Sequence, residues 1–167
     1  MLAEIRTVDS CKILCDVLLD ERRNSEIRAG AAWGLGEQQN SLALTAITKS
    51  FNSVDENVKI EAARALAKFT NLYSNDILNL FGNANSNELP GIAWALSKSD
   101  SISLNQMISN LGGVELRQWI SYIIGMQGAE RYVAEIEKLK EYDSEVYFAA
   151  TLLWKMITSW VYELKEY

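Results

Sequence analysis

With 167 residues, of which 49% are hydrophobic, the chain has enough apolar material to build the core of one domain. Its formal charge of -6, from 16 basic and 22 acidic side chains, argues against a phosphate-backbone partner, which needs Lys and Arg clustered on one face. The complete absence of histidine removes the commonest general base, every His-containing metal site and every His-based catalytic triad. No apolar run reaches the ~18–20 residues of a membrane span. Met1 to Ser10 also lacks the apolar core of a signal peptide, so a cytoplasmic protein without membrane association is expected.

In chain order, the first predicted helix carries Ile13, Leu14, Val17 and Leu18 at helical spacing, with Asp9 as a candidate N-cap. It also holds the only thiols, Cys11 and Cys15. Two ligands at i, i+4 fall short of the four a structural zinc needs, so both read as small buried hydrophobes, and neither a metal nor a cofactor is expected. A helix over Ile27 to Gly36 follows, with Ser25 before it. The turn residues Asn40 and Ser41 lead into a helix marked by Leu44, Ile47 and Phe51. Asp55 then precedes a helix over Val58 to Ala67. Asn71 marks the next turn, and Ser74 or Asn75 opens a helix marked by Ile77, Leu80 and Phe81. The run from Gly82 to Asn87 is turn chemistry, after which Pro90, the only proline, sits in the first turn of a helix reaching Leu96. Ser99, Asp100 and Ser101 precede a pattern of Leu104, Met107, Ile108 and Leu111. Gly112 and Gly113 separate it from a helix over Leu116 to Gly125. Glu130 to Asp143 alternates in charge around Val133, Ile136 and Leu139, as a solvated helix laced with i,i+3 and i,i+4 pairs does. From Asp143 or Ser144 a longer final helix runs to about Lys165. Its stripe of Leu153, Ile157, Trp160 and Leu164 and its charged tail from Glu163 to Tyr167 suit a terminal cap. The N-terminus has no such cap, which suits a piece of a longer array.

These elements repeat. Placing Leu35, Leu66, Leu96, Ile124 and Trp154 in one column gives spacings of 31, 30, 28 and 30 residues. Four residues earlier stand Ala31, Ala62, Ile92, Ile120 and Ala150. Three earlier stand the small residues Ala32, Ala63, Ala93, Ser121 and Thr151, which let helix backbones approach closely. Eleven to fourteen residues upstream of each copy lies the other apolar helix pattern, so each unit is a helix A followed by a helix B. No stretch alternates as a half-buried strand does. The expectation is an all-α superhelix, or solenoid, of about five antiparallel helix pairs forming a single domain over residues 1–167.

The segment Glu26-Ile-Arg-Ala-Gly-Ala-Ala-Trp-Gly-Leu-Gly-Glu37 resembles a HEAT repeat of the short, phycobilin-lyase-like type. The copy from Val58 to Ala67 follows that pattern with Lys59 for Arg and Ala67 for Gly. The third copy lacks the basic residue, and the last two keep only the hydrophobic frame. The resemblance implies an armadillo-like helical fold whose B helices line a concave surface. It does not transfer a function, since this family hosts scaffolds, enzyme-regulating subunits and pigment lyases.

With Ile27, Ala31 and Leu35 taken as the inward stripe, the residue six after Ile27 points away from it. That column reads Trp33, Arg64, Trp94, Tyr122 and Leu152, and the resemblance turns it toward the groove. Beside it lie Ala29, Ile60, Pro90, Gln118 and Phe148, and then Gly36, Ala67, Ser97 and Gly125. Trp, Tyr and Arg are the usual anchors of interfaces, so Trp33, Arg64, Trp94 and Tyr122 are the candidate partner-binding residues. The competing reading wedges the same rings between neighbouring B helices as packing. No catalytic residue stands out: Gly34-Leu-Gly36 lacks the third glycine of a dinucleotide loop, and no phosphate loop or nucleophile elbow is present. The leading expectation is a non-catalytic scaffold for a protein or peptide partner. Two alternatives remain open, a lyase-type protein handling a bulky aromatic ligand and a nucleic-acid-binding HEAT-like protein. The acidic balance opposes the latter.

Overall fold

In the computed structural model the described residues are 7–109, 112–127 and 140–163, with side chains described except at 104, 108 and 154–163. The pattern of Val133, Ile136 and Leu139, the charged run before Lys140, Leu111 and the tail beyond Glu163 lie outside them, as do the side chains of Trp154, Ile157 and Trp160.

All described regular structure is helical, and no strand occurs among the described residues. The helices are α1 (Val8–Leu19), α2 (Ser25–Gln38), α3 (Leu44–Ser50, entered through a 3-10 turn at Ser41–Ala43), α4 (Glu56–Phe69), α5 (Ser74–Gly82), α6 (Leu89–Leu96), α7 (Leu104–Ile108), α8 (Val114–Gln127) and α9 (Ser144–Glu163). The five recurring stretches fall in α2, α4, α6, α8 and α9. None of the described helices is long and apolar enough to cross a membrane. The chain divides into two compact units, Met1–Ser101 and Ile102–Tyr167. Within the first, α1 packs on α2, α2 on α4 and α4 on α6, while α3 lies against α4 and α5 against α6. Within the second, α8 packs on α9.

Helix starts shift slightly from the sequence expectation, because side chains just upstream reach the free amides first. Thr7, rather than Asp9, caps α1, and its side chain and that of Ser10 cap each other's backbone N–H. Asn24, rather than Ser25, accepts from the Glu26 amide at 2.7 Å. Ser103, not Ser101, caps α7, while the Ser101 hydroxyl donates to the Thr70 carbonyl. Asp143 accepts from the amides of Glu145 and Val146 and so starts α9.

The repeat columns are core columns. Ala31, Ala62, Ile92, Ile120 and Ala150 are all buried, as are the anchors Leu35, Leu66, Leu96 and Ile124. In the small-residue column Ala32, Ala93 and Ser121 are buried, whereas Ala63 and Thr151 are half-buried. The close approach between B helices lies on the other side of the anchors. A Cβ added at Gly36 of α2 would sit 2.9 Å from Ala65 Cα of α4, and one at Gly125 of α8 would sit 2.8 Å from a Leu153 methyl of α9. Gly36 and Gly125 each follow their anchor by one residue, and Ala65 and Leu153 each precede theirs. Both units therefore close the gap between successive B helices at the same register. Gly36 and Gly125, expected beside the partner-binding column, are instead buried in these contacts, which corrects that assignment.

Ile27 is a second correction. It is 53% exposed, and the buried residue at the head of α2 is Arg28. The guanidinium donates to the Leu18 carbonyl at 2.9 Å and pairs with the Asp55 carboxylate at 3.3 Å. It thereby ties the end of α1 to the start of α4. A side chain that long reaches two polar partners which an isoleucine cannot satisfy, so the inward place goes to the charged residue. In the second copy Val58 is buried, and Lys59 turns to Glu56 at 3.0 Å.

Gly36→Ala should destabilise by about 1–3 kcal/mol, because the new methyl meets backbone that cannot move aside. Gly30→Ala, on the same helix with nothing within 4 Å of the added carbon, should stabilise by about 0.5–1 kcal/mol through helix propensity. Urea midpoints of the two variants moving in the same direction would contradict the α2–α4 contact. Asp55→Ala should cost about 3 kcal/mol by stranding the buried Arg28 charge. Arg28→Met leaves only a partly exposed carboxylate and one carbonyl, and should cost about 1–2 kcal/mol. Chemical denaturation giving the reverse order would show that Asp55 does not compensate Arg28.

Candidate functional site

Burial of Val58, Ala62, Ala65, Leu66 and Phe69 consumes one arc of α4. The arc left over carries Glu56, Lys59, Ile60, Ala63 and Arg64, which helical spacing aligns along one face. Across from it, α6 begins with Pro90 in its first turn and presents Gly91 and Trp94. With Ser86 and Asn87 of the preceding turn, these residues line a groove of about 520 Å³, floored by the nearly buried ring of Phe51. Gly91 lets the first turn of α6 lie directly on that ring, since a Cβ there would stand 2.3 Å from it. The volume falls within the ~300–1,000 Å³ of ordinary ligand sites.

The walls are mostly apolar and the rim is charged. Ile60 is 47% exposed, Pro90 is exposed and Trp94 half-buried. The Lys98 ammonium lies over the Trp94 ring, 5.3 Å from its centroid. Arg64 pairs with Glu61 at 2.6 Å, and Lys59 pairs with Glu56 at 3.0 Å, both as i,i+3 pairs along α4.

The first unit thus brings Arg64 and Trp94 to one groove, together with Ile60 and Pro90 from the neighbouring column. Trp33 is 51% exposed on α2 and is not among the groove's lining residues. Tyr122 belongs to the second unit, where it is half-buried and meets Trp119 edge-on at 5.7 Å. Leu152 and Phe148, at equivalent repeat positions of α9, are each 61% exposed. Phe51, Gly91, Lys59 and Lys98 escaped the sequence reading as site residues. Lys98 was within reach, one helical turn after Trp94, but Phe51 reads as plain core from its spacing.

No group of three or more Cys, Asp or Glu side chains able to hold a metal occurs among the described residues. Cys11 is buried and Cys15 half-buried on α1, one turn apart and hydrogen-bonded to each other. Burial, and then the neighbouring Cys11, push the Cys15 thiol up to about 12, and burial raises that of Cys11 as well. Both are therefore thiols rather than thiolates near neutrality, which leaves them poor nucleophiles and poor metal ligands. No known family model and no curated protein matches the chain.

Because these thiols ionise near 9 when unfolded but only near 12 for Cys15 when folded, their contribution to stability should be constant below pH ~9 and fall as pH rises from there toward 12. Denaturation midpoints against pH should show that decline, and Cys15→Ala should make it shallower. A decline identical in the variant would remove the thiol from the account.

Proposed function

We propose that the chain is a non-catalytic interaction scaffold, a HEAT-like α-superhelix of about five helix pairs that holds a protein or peptide partner. Trp33, Arg64, Trp94 and Tyr122 are its contact residues. The observation that carries this reading is the groove between α4 and α6, where Arg64 and Trp94 meet above an apolar floor. Half-exposed tryptophan beside arginine is the composition of interface anchors, whose truncation usually dominates the loss of affinity. Leaving Trp33 half-exposed and Trp94 half-buried also favours contact over wedging, because a packing ring would be withdrawn from water. The thiols, held protonated on α1, contribute no residue to the groove.

The test is quantitative affinity capture with the wild-type chain, Trp94→Ala and Trp33→Ala. A partner contacting this face should be recovered at least about tenfold less by each variant, the equivalent of 1.4 kcal/mol. Stability should fall by no more than about 1–2 kcal/mol, well short of the ~3–5 kcal/mol of a buried aromatic. Unchanged recovery, or a stability loss of the buried size, rules against the reading.

A further inference from the structure

We propose that the occupant of the α4–α6 groove is an acidic peptide carrying a bulky apolar side chain. It builds on the interaction reading above and names the chemistry of the partner. The apolar side chain enters over Phe51, between Ile60 and Trp94, and flanking carboxylates meet Arg64, Lys59 and Lys98. The floor and walls supply the first half of this recognition, since Phe51, Ile60, Pro90 and Trp94 offer little to a polar group. A volume of about 520 Å³ exceeds one side chain, so two or three consecutive residues fit.

Charge supplies the second half. The chain as a whole is -6, yet at the groove Lys59 and Arg64 balance Glu56 and Glu61, and Lys98 over Trp94 adds a further positive charge. Lys98, stacked on Trp94, makes no ion pair among the described residues. Glu61 is matched by Arg64, and Glu88 is turned into its own loop, accepting from the Asn52 side chain at 2.9 Å and the Asn85 amide at 3.1 Å. The Lys59–Glu56 and Arg64–Glu61 pairs are partly exposed i,i+3 pairs that contribute little to stability, and they exchange readily for a ligand carboxylate. Arg64, 63% exposed, can turn from Glu61 to offer such a carboxylate two parallel N–H donors. A basic segment would meet Arg64 and Lys98 unfavourably, and a neutral one would leave the Lys98 charge unused.

The experiment pans a random dodecapeptide phage library on the wild-type chain, then measures fluorescence polarisation of the enriched peptide, synthesised with a fluorescein label, on wild type, Trp94→Ala, Arg64→Glu and Lys98→Glu. The same proteins are titrated with a labelled single-stranded oligonucleotide. Circular dichroism confirms that each variant folds, and two separate charge reversals guard against the loss of one. The expected result is a consensus of Asp or Glu around an aromatic or large aliphatic residue, bound at least tenfold more weakly by all three variants and less tightly as salt rises. A basic or uncharged consensus overturns the proposal. So does binding lost in Trp94→Ala but indifferent to both charge reversals, although the groove then stands as an interaction site. Tighter binding of the oligonucleotide than of any peptide overturns it in favour of nucleic acid. An absence of enrichment, or binding indifferent to all three variants, overturns both the peptide class and the groove.

Discussion

A helix can be approached closely enough for a neighbour to touch its backbone only where it presents no side chain, and a glycine one residue after the anchor provides that place in both α2 and α8. Gly36 lies on Ala65, and Gly125 lies against Leu153. Closing that gap rotates α2 and α8 so that the residues before and after the anchor, Gly34 and Gly36 around Leu35 and Ile123 and Gly125 around Ile124, are buried together. The arc left for solvent is then determined. On α2 it holds Gly30 and Trp33, and on α4 it holds Ile60 and Arg64. The residues available for contact with anything else are a consequence of how tightly the helices meet.

Arg28 works on the same assembly from the edge. Though it is buried, its charge is matched by the Leu18 carbonyl and the Asp55 carboxylate, so three helices share one guanidinium. Asp55 is the residue that begins α4, yet it makes no capping bond to that helix because its carboxylate is turned to Arg28. A local capping role has been exchanged for a tertiary one. That trade also sets where α4 starts relative to α2, and hence where Ile60 and Arg64 stand.

The groove between α4 and α6 arises from a break in the pattern. The α6 helix spans only eight residues, Leu89–Leu96, and enters through Pro90 after an Asn-rich turn, whereas α2 and α4 each span fourteen. A shorter helix with no side chain at Gly91 settles onto Phe51 and leaves the ring as a floor. The walls follow from Ile60 and Arg64 on one side and Trp94 on the other. Charge at this place departs from the acidic balance of the chain, because Lys59 and Arg64 match Glu56 and Glu61 while Lys98 on the indole adds a positive charge.

Periodicity in the sequence was sufficient to determine the helical class and the inward columns, because burial of Ala31, Ala62, Ile92 and their neighbours depends only on a 3.6-residue repeat that the chain spells out. It was likewise sufficient to place Trp33, Arg64 and Trp94 outside the deepest core. Rotation of each helix about its axis lay beyond it, since Ile27 and Arg28 are adjacent and only the reach of a guanidinium to Leu18 and Asp55 decides which one turns inward. Gly36 and Gly125 were misplaced for the same reason: a glycine serves an open groove or a close contact equally well, and the partner helix chooses. Tertiary structure alone separated Arg64 and Trp94, which share a groove, from Trp33 outside it and Tyr122 in the second unit. It alone turned Phe51 into a floor, because a groove is made by residues distant in the chain, and their meeting is set by packing rather than by spacing.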